Sequence, residues 1–302
     1  MGNQKINGRE VAAKLLVEIA QDVAALKKEN WDPKLVSIKV GDDDSVDLYV
    51  RNQKRNADKV GIEFVERHYP AEISAEEITA AITNLNVDPT VTGIIIQRPV
   101  PDHLPIKALQ ETIHPLKDVE GMHPKSIGNI VYGELELAPC TAMASVELLK
   151  STGVQLTGLE ACVIGHSEIV GKPIAFLLMA EGATVTVCHH MTRDVAVHSR
   201  RADVVFVAVG KAGLLTGDMI KPGAVVVDIG INVIEDEEGK SRVVGDCDYE
   251  SCQKAAGWIT PVPGGVGPVT LSILMKNTVT AAQRLQQHYQ KHFQGSSPEF
   301  PL

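Results

Sequence analysis

A chain of 302 residues with 44% hydrophobic residues has enough apolar material for one large or two medium cores. Its net charge of −9 argues against a general nucleic-acid role, and no apolar run approaches the about 18 residues a membrane span needs. Residues 1–20 lack a signal-peptide core, and the five cysteines (Cys140, Cys162, Cys188, Cys247, Cys252) are scattered without a CxxC. That pattern points to reduced thiols in a cytoplasmic protein rather than to a disulfide framework or a zinc site.

In chain order, the apolar periodicity predicts a helix over 9–29, a strand over 35–40, helices over 45–60 and 75–86, and a strand over 92–97. After a boundary near 138–158 come a helix over 143–152, a strand over 161–165, a helix over 170–181, strands over 184–188, 203–209 and 224–229, and a last helix from 270 to about 290. The strands are short, continuous and rich in Val and Ile, as in a parallel sheet covered on both faces. Their alternation with helices predicts an α/β protein of two α/β domains, the second a Rossmann-like, dinucleotide-binding one. The domains expected are 1–147, joined by the returning helix 270–292, and 148–269. Residues 295–302, reading GSSPEFPL, are expected to be a vector-derived tail.

The segment from Thr260 to Thr270 (TPVPGGVGPVT) is stiffened by proline and opened by glycine. It offers rigid backbone groups to a flat ligand through Pro263, Gly264 and Gly265; the bland alternative is an interdomain linker. The turn after strand 161–165 runs Gly165, His166, Ser167, Glu168, Ile169, Val170, Gly171, and a helix then begins, which suits a phosphate. Its spacing is not GxGxxG, and a tight turn without ligand is the alternative. Strand 184–188 leads into His189, His190, Met191, Thr192 and Arg193, where such folds read the adenosine ribose. No acidic residue stands at that strand end; His190 and Arg193 suit a 2′-phosphate, and Asp194 just beyond leaves NAD open. Adjacent His189 and His190 without further partners make a poor metal site, so no metal is expected. Gly210 and Gly230, with Ile231, follow later strand ends and let a cofactor lie across the sheet edge.

Taken together, Ile6-Asn7-Gly8, Val40-Gly41 with Tyr49-Val50, Gly93 to Gln97, Lys117 to Gly121, Pro139-Cys140-Thr141, the 165–173 turn, Val244-Gly245-Asp246 and the 260–268 loop carry a specific pattern. The chain resembles the bifunctional methylene-tetrahydrofolate dehydrogenase/methenyl-tetrahydrofolate cyclohydrolase family along nearly its whole length. The resemblance implies one-carbon tetrahydrofolate substrates in a cleft between two domains, NADP as cofactor with NAD possible, and a homodimer. It places the family's tyrosine at Tyr49 and its glutamine at Gln97. The family's lysine position holds Gln53 and its aspartate position Glu120. Val46 stands where the family has Ser, Arg9 where it often has Lys, Arg98 where an apolar residue is usual, His166 where Arg is common and His190 where Ser is common. Implied substrate contacts are Tyr49, Gln97, Arg98, Asp118, Glu120 and the Pro263–Gly265 turn. Implied cofactor contacts are Gly165, His166, Ser167, Val170, Gly171, His190, Thr192, Gly210, Gly230 and Ile231. Read alone, Tyr49 would be an edge residue with a wet hydroxyl, Asp118 and Glu120 solvent-facing carboxylates, and Asp42 to Asp44 a solvated turn before a helix.

Residues four apart share a helix face, so Tyr49 and Gln53 should point the same way, with Lys54 about 100° round. A carboxamide orients groups but does not titrate near neutrality, and water addition needs a general base. Three functions follow: a dehydrogenase with weak or lost cyclohydrolase activity; a fully bifunctional enzyme in which Arg98, Lys54 or water takes the lysine's part; or a non-catalytic folate- or nucleotide-binding protein.

Overall fold

A computed structural model of the chain describes residues 4–235, 239 and 241–293. The tail expected at 295–302 lies outside these residues. The elements run β1 (Gln4–Lys5), α1 (Gly8–Lys28), β2 (Lys34–Val40), α2 (Asp44–Val60), β3 (Glu63–Tyr69), α3 (Ala75–Val87), β4 (Gly93–Ile96), α4 (Ile106–Thr112), α5 (Pro124–Val131) and α6 (Cys140–Lys150). They continue with β5 (Glu160–Ile164), α7 (Gly171–Ala180), β6 (Thr184–Cys188), α8 (Val195–Ser199), β7 (Val204–Val207), β8 (Val225–Asp228), β9 (Asn232–Glu235), β10 (Ser241–Val244), α9 (Tyr249–Ala255), β11 (Trp258–Ile259) and α10 (Val266–Phe293). No described helix is long and apolar enough to cross a membrane.

Two compact units share the chain. One holds the chain up to Ala13, Ile130–Leu135 and Pro139–Thr270; the other holds Lys14–Asn129, Glu136–Ala138 and the chain from Leu271. The first unit carries a parallel sheet in the order β1-β11-β8-β7-β5-β6. Residues 4–5 join it because β1 pairs with β11, Gln4 opposite Trp258. β7 and β8 are buried at every position, which is why they read as unbroken apolar runs. Val205, Val207, Val226 and Ile259 pack there with Leu215, Ile220 and the thiols of Cys162, Cys188, Cys247 and Cys252. All five cysteines are free, as their spacing suggested.

The second unit carries the parallel sheet β3-β2-β4. Its core joins Val36, Ile38 and Val40 of β2 and Ile94 and Ile96 of β4 to Ile78, Ile82 and Leu85 of α3. α3 starts at a capping box in which Ser74 and Glu77 satisfy each other's backbone amides. Beyond its C-terminus, the fully buried Lys117 donates to the carbonyls of Leu85 and Asp88. Burial lowers the Lys117 pKa to about 8, with Asp88 opposing the shift.

Several elements left little trace in the sequence. β3 is an edge strand of mostly exposed and half-buried residues, so it shows no apolar run. The antiparallel β9–β10 pair is likewise exposed or half-buried throughout and only four residues long on each side. Helices α4, α5, α8 and α9 span only 5 to 8 residues, too short to show a helical period. α10 starts at Val266, four residues earlier than expected, because Pro268 is tolerated in a first helical turn.

Candidate functional site

The carboxyl edge of the six-stranded sheet is shaped by backbone packing. Gly165 has φ +117°, and a Cβ there would lie 2.2 Å from the Ala208 carbonyl oxygen. A Cβ on Gly171 would lie 2.0 Å from the Gly165 carbonyl oxygen, so only glycine permits the strand end and the helix start to approach. Ser167 holds the first turn of α7, its hydroxyl accepting from the amides of Val170 at 3.2 Å and Gly171 at 3.5 Å. This compact turn at the positive end of α7 fits a dinucleotide's pyrophosphate. His166 is exposed, as is His190, and Thr192 accepts from the His189 amide at 2.9 Å.

Two enclosed carboxylates, Asp228 and Asp246, organise the rest of this edge, a task that the Val244-Gly245-Asp246 pattern marked by position but not by partner. Asp246 accepts from the amides of Val209, Gly210 and Lys211 and from Asn232 Nδ2. Asp228 accepts from the amides of Gly230, Asp246 and Cys247, and burial raises its pKa. Gly230 and Gly245 press onto them, a Cβ on Gly245 falling 1.9 Å from Asp228 Oδ2. Gly210 and Gly230 are thereby fixed in place, and Ile231 projects outward at 72% exposure. In the same unit the 260–268 loop is anchored by Thr260, whose hydroxyl accepts from the Asp228 amide at 2.7 Å. Gly8 donates to the Gly264 carbonyl, and no Cβ fits at Gly8, 1.8 Å from the Gly265 carbonyl oxygen. Pro263 is exposed and follows a cis peptide bond.

In the other unit the site residues gather on α2 and at the ends of β2 and β4. Asp43 caps α2, accepting from the amides of Ser45 and Val46, and Gly61 closes it at φ +84°. Of the acidic run Asp42 to Asp44, Asp43 is therefore a cap rather than a merely solvated residue. The strip of α2 facing inward is Val46, Val50, Gln53, Ala57 and Val60. Gln53 is 1% exposed, whereas Tyr49 stands at the strip's edge, 40% exposed. Gln97 Nε2 donates to Gln53 Oε1 at 2.8 Å and to Ser37 Oγ at 2.9 Å. The result is a buried chain of neutral groups, Ser37–Gln97–Gln53.

The cations nearby do other work. Lys54 is exposed. Lys39, almost fully buried, pairs with Asp47 and lies 3.8 Å from Asp42, and the hydrogen bond to Asp47 raises its pKa. It therefore stays protonated at neutral pH. Arg98 is exposed and precedes a cis proline. Glu120 is half-buried; desolvation raises its pKa to about 7, with Arg98 lowering it and Asp118 raising it. Asp118 is committed internally: its oxygens accept from the amides of Met122 and His123 and from Ser126 Oγ, fixing the start of α5. Ser37 and the Glu120 titration left no mark in the sequence, since they depend on Gln97 and on burial beside Arg98, remote in the chain, whereas Lys39 is held by Asp42 and Asp47 only a few residues on.

Comparison with known proteins gives the chain's relatives. Residues 6–120 match the family described as tetrahydrofolate dehydrogenase/cyclohydrolase, catalytic domain, and residues 139–286 match its NAD(P)-binding domain. The chain is 61% identical over 285 residues to "Bifunctional protein FolD 2" of Mesorhizobium japonicum, covering 94% of this chain and 93% of that protein. It superposes with a TM-score of 0.88 and 39% identity on the bifunctional FolD methylenetetrahydrofolate dehydrogenase/cyclohydrolase of Campylobacter jejuni, over 93% of this chain and 99% of the other. The Trypanosoma brucei methylenetetrahydrofolate dehydrogenase-cyclohydrolase, solved with NADP and an inhibitor, matches at 0.86 and 37%, over 93% and 97%.

Proposed function

This chain belongs to the tetrahydrofolate dehydrogenase/cyclohydrolase family, and on that premise we propose that it oxidises methylene- to methenyl-tetrahydrofolate with NADP+ and hydrolyses the methenyl product weakly or not at all. One observation carries the second half. Gln53 is buried, and its carboxamide is satisfied by Gln97, so the position that holds the family's lysine presents no group able to take a proton from water. When bound, the nicotinamide supplies the hydride acceptor. What the chain must add to that step is orientation, which Gln97, Tyr49 and the rigid glycine turns can give without titrating. Tyr49, Gln97, Arg98 and Glu120 are the proposed substrate contacts, and the Pro263–Gly265 turn is a further one. Asp118 acts through the loop it holds.

The test is Gln53→Lys, assayed for both steps. Hydrolysis of methenyl-tetrahydrofolate above its spontaneous rate should rise about 100-fold, as a positioned acid–base group provides, while dehydrogenation changes little. A lysine at so enclosed a position would have its pKa pulled down, which suits a base. Unchanged hydrolysis, or brisk hydrolysis by the unmodified chain, would sink the proposal.

The titration of Glu120 near neutrality favours a second reading, in which the carboxyl beside Arg98 moves the proton and both activities persist. Hydrolysis would then show an inflection near the Glu120 pKa of about 7 and vanish in Glu120→Gln. Five free thiols support work in the reducing cytoplasm. A homodimer is the assembly the family resemblance supports, and sedimentation would read it as two chains.

A further inference from the structure

Lys39 is an ammonium with only 4% of its surface exposed, and the proposed chemistry gives it no part. It stands near the end of β2, two residues beyond Ser37 and on the same sheet face, because side chains alternate along a strand. That is the face α2 covers: Gln97 bridges Ser37 to Gln53, while Lys39 Nζ donates to Asp47 in the first turn of α2. The sheet therefore holds α2 at two points, Asp47 and Gln53, six residues apart, with Tyr49 between them. We propose that Lys39, through its ion pair with Asp47, is a positioning residue that sets the roll of α2 and so the place of Tyr49 at the rim of the site. This rests on the reading of Tyr49 as a substrate contact in dehydrogenation and adds what holds it there.

The helix works as a lever. At about 100° per residue, Val50 and Gln53 lie within about 40° of Val46 and form the strip facing the sheet. Asp47 falls about 100° to one side of Val46 and Tyr49 about 60° to the other. The two flank the strip, so a roll that lifts one lowers the other. Val46 and Val50 pack without direction, and such contacts resist a roll weakly. A roll of about 10° moves groups about 6 Å from the axis by about 1 Å. A misplacement of that size can cost about a hundredfold in rate.

The groups ahead of α2 do another task. Gly41 turns at φ +73°, His68 Nε2 donates to its carbonyl at 3.0 Å, and Asp43 caps the helix. They fix where α2 starts, whereas its roll depends on contacts along its length. Asp42, 3.8 Å from Lys39, is a weak substitute for Asp47, because its exposed carboxylate is screened by water. Stability alone gives little reason for the pair, since apolar groups in place of an enclosed ion pair are often neutral or better. What apolar groups do not reproduce is the fixed direction of an N–H aimed at a carboxylate oxygen.

Single-turnover and steady-state kinetics of methylene-tetrahydrofolate oxidation decide the matter. Lys39→Met keeps the stem and removes the charge; its hydride-transfer rate should fall about tenfold while the KM for NADP+ stays within about twofold. Asp47→Asn should lose less, about threefold, because its amide oxygen still accepts from Lys39. In a Tyr49→Ala background, itself slower, Lys39→Met should add almost nothing, since the group it places is gone. Combining Lys39→Met with Asp47→Leu should return the melting temperature to the parent's without returning the rate. Melting curves confirm that each variant is folded. A Lys39→Met protein with an unchanged rate, losses that multiply in the Tyr49→Ala background, or a rate that recovers with stability in the double variant would overturn the inference and leave the dehydrogenase reading standing. No oxidation by the parent with either NADP+ or NAD+ would instead remove the reading on which it rests.

Discussion

The carboxyl ends of the two sheets are built from different materials. On the six-stranded sheet the shape is made of main chain: Gly165 against Ala208, Gly171 against Gly165, and the 209–211 amides gathered on Asp246. On the three-stranded sheet it is made of side chains: Gln97 bridges Ser37 and Gln53, and Arg98 lies near enough to Glu120 to lower its pKa. A backbone-built edge accepts new side chains pointing outward, such as His166 and His190, but not one extra methyl pointing inward. A side-chain-built edge does the opposite. Gln53 satisfies its amide with Gln97 inside the fold, and its carboxamide offers no acid–base group near neutrality. The geometry of one region is thus set by its main chain, while the chemistry of the other is set by single side chains.

The sharpest way to break this comparison is Gly171→Ala. A Cβ 2.0 Å from a carbonyl oxygen cannot be relieved by a side-chain movement, so we expect a loss of about 4 kcal/mol or more in denaturant unfolding, or no soluble protein. Asp246→Ala comes next. It leaves the Val209, Gly210 and Lys211 amides without their acceptor and should cost about 3 kcal/mol together with most of the dinucleotide affinity, read by melting and titration.

In the other unit, Gln97→Met keeps the volume but strips the partner from Gln53 and Ser37. Unfolding should register about 2 kcal/mol, and the dehydrogenase kcat should fall with it. If stability and kcat both hold, the buried amide chain is not what shapes that edge. The smallest effect expected is in Glu120→Gln. The parent's carboxyl has a folded pKa near 7, above its unfolded value, so ionising it in the native state costs stability as pH rises from about 4.5 to about 7. The variant should gain about 1 kcal/mol at pH 8, a value reduced for the residue's partial exposure, and nothing at pH 4. An equal gain at both pH values would show that the carboxyl is not desolvated.

Much of the fold was legible because its central strands are buried on both faces and its long helices carry a clear period. β2, β5, β7 and β8 lie within a residue or two of where their Val and Ile runs put them. β3 and the β9–β10 pair were not, since edge strands need no apolar face and their pairing is decided by the strands beside them. At the site, the shared face expected for Tyr49 and Gln53 proved uneven. The strip facing the sheet passes through Val46, Val50 and Gln53, and the roughly 40° between residues four apart is enough to leave Tyr49 at the rim.

What the sequence determined alone is the set of properties that local chemistry controls: the long helices, the central buried strands, and the neutral carboxamide at position 53. Those follow from side-chain size, branching and proton affinity, which travel with each residue. The tertiary structure alone decided which groups meet. Asp228 and Asp246 became organisers of the six-stranded sheet's carboxyl edge, Asp118 was drawn inward to hold α5, Glu120 was desolvated to titrate near 7, and His166 was brought against His189 across adjacent strand ends. Burial and electrostatic coupling depend on distance through space, and neither the short separation of Asp118 from Ser126 nor the long one of His166 from His189 tells locally which groups folding will bring together.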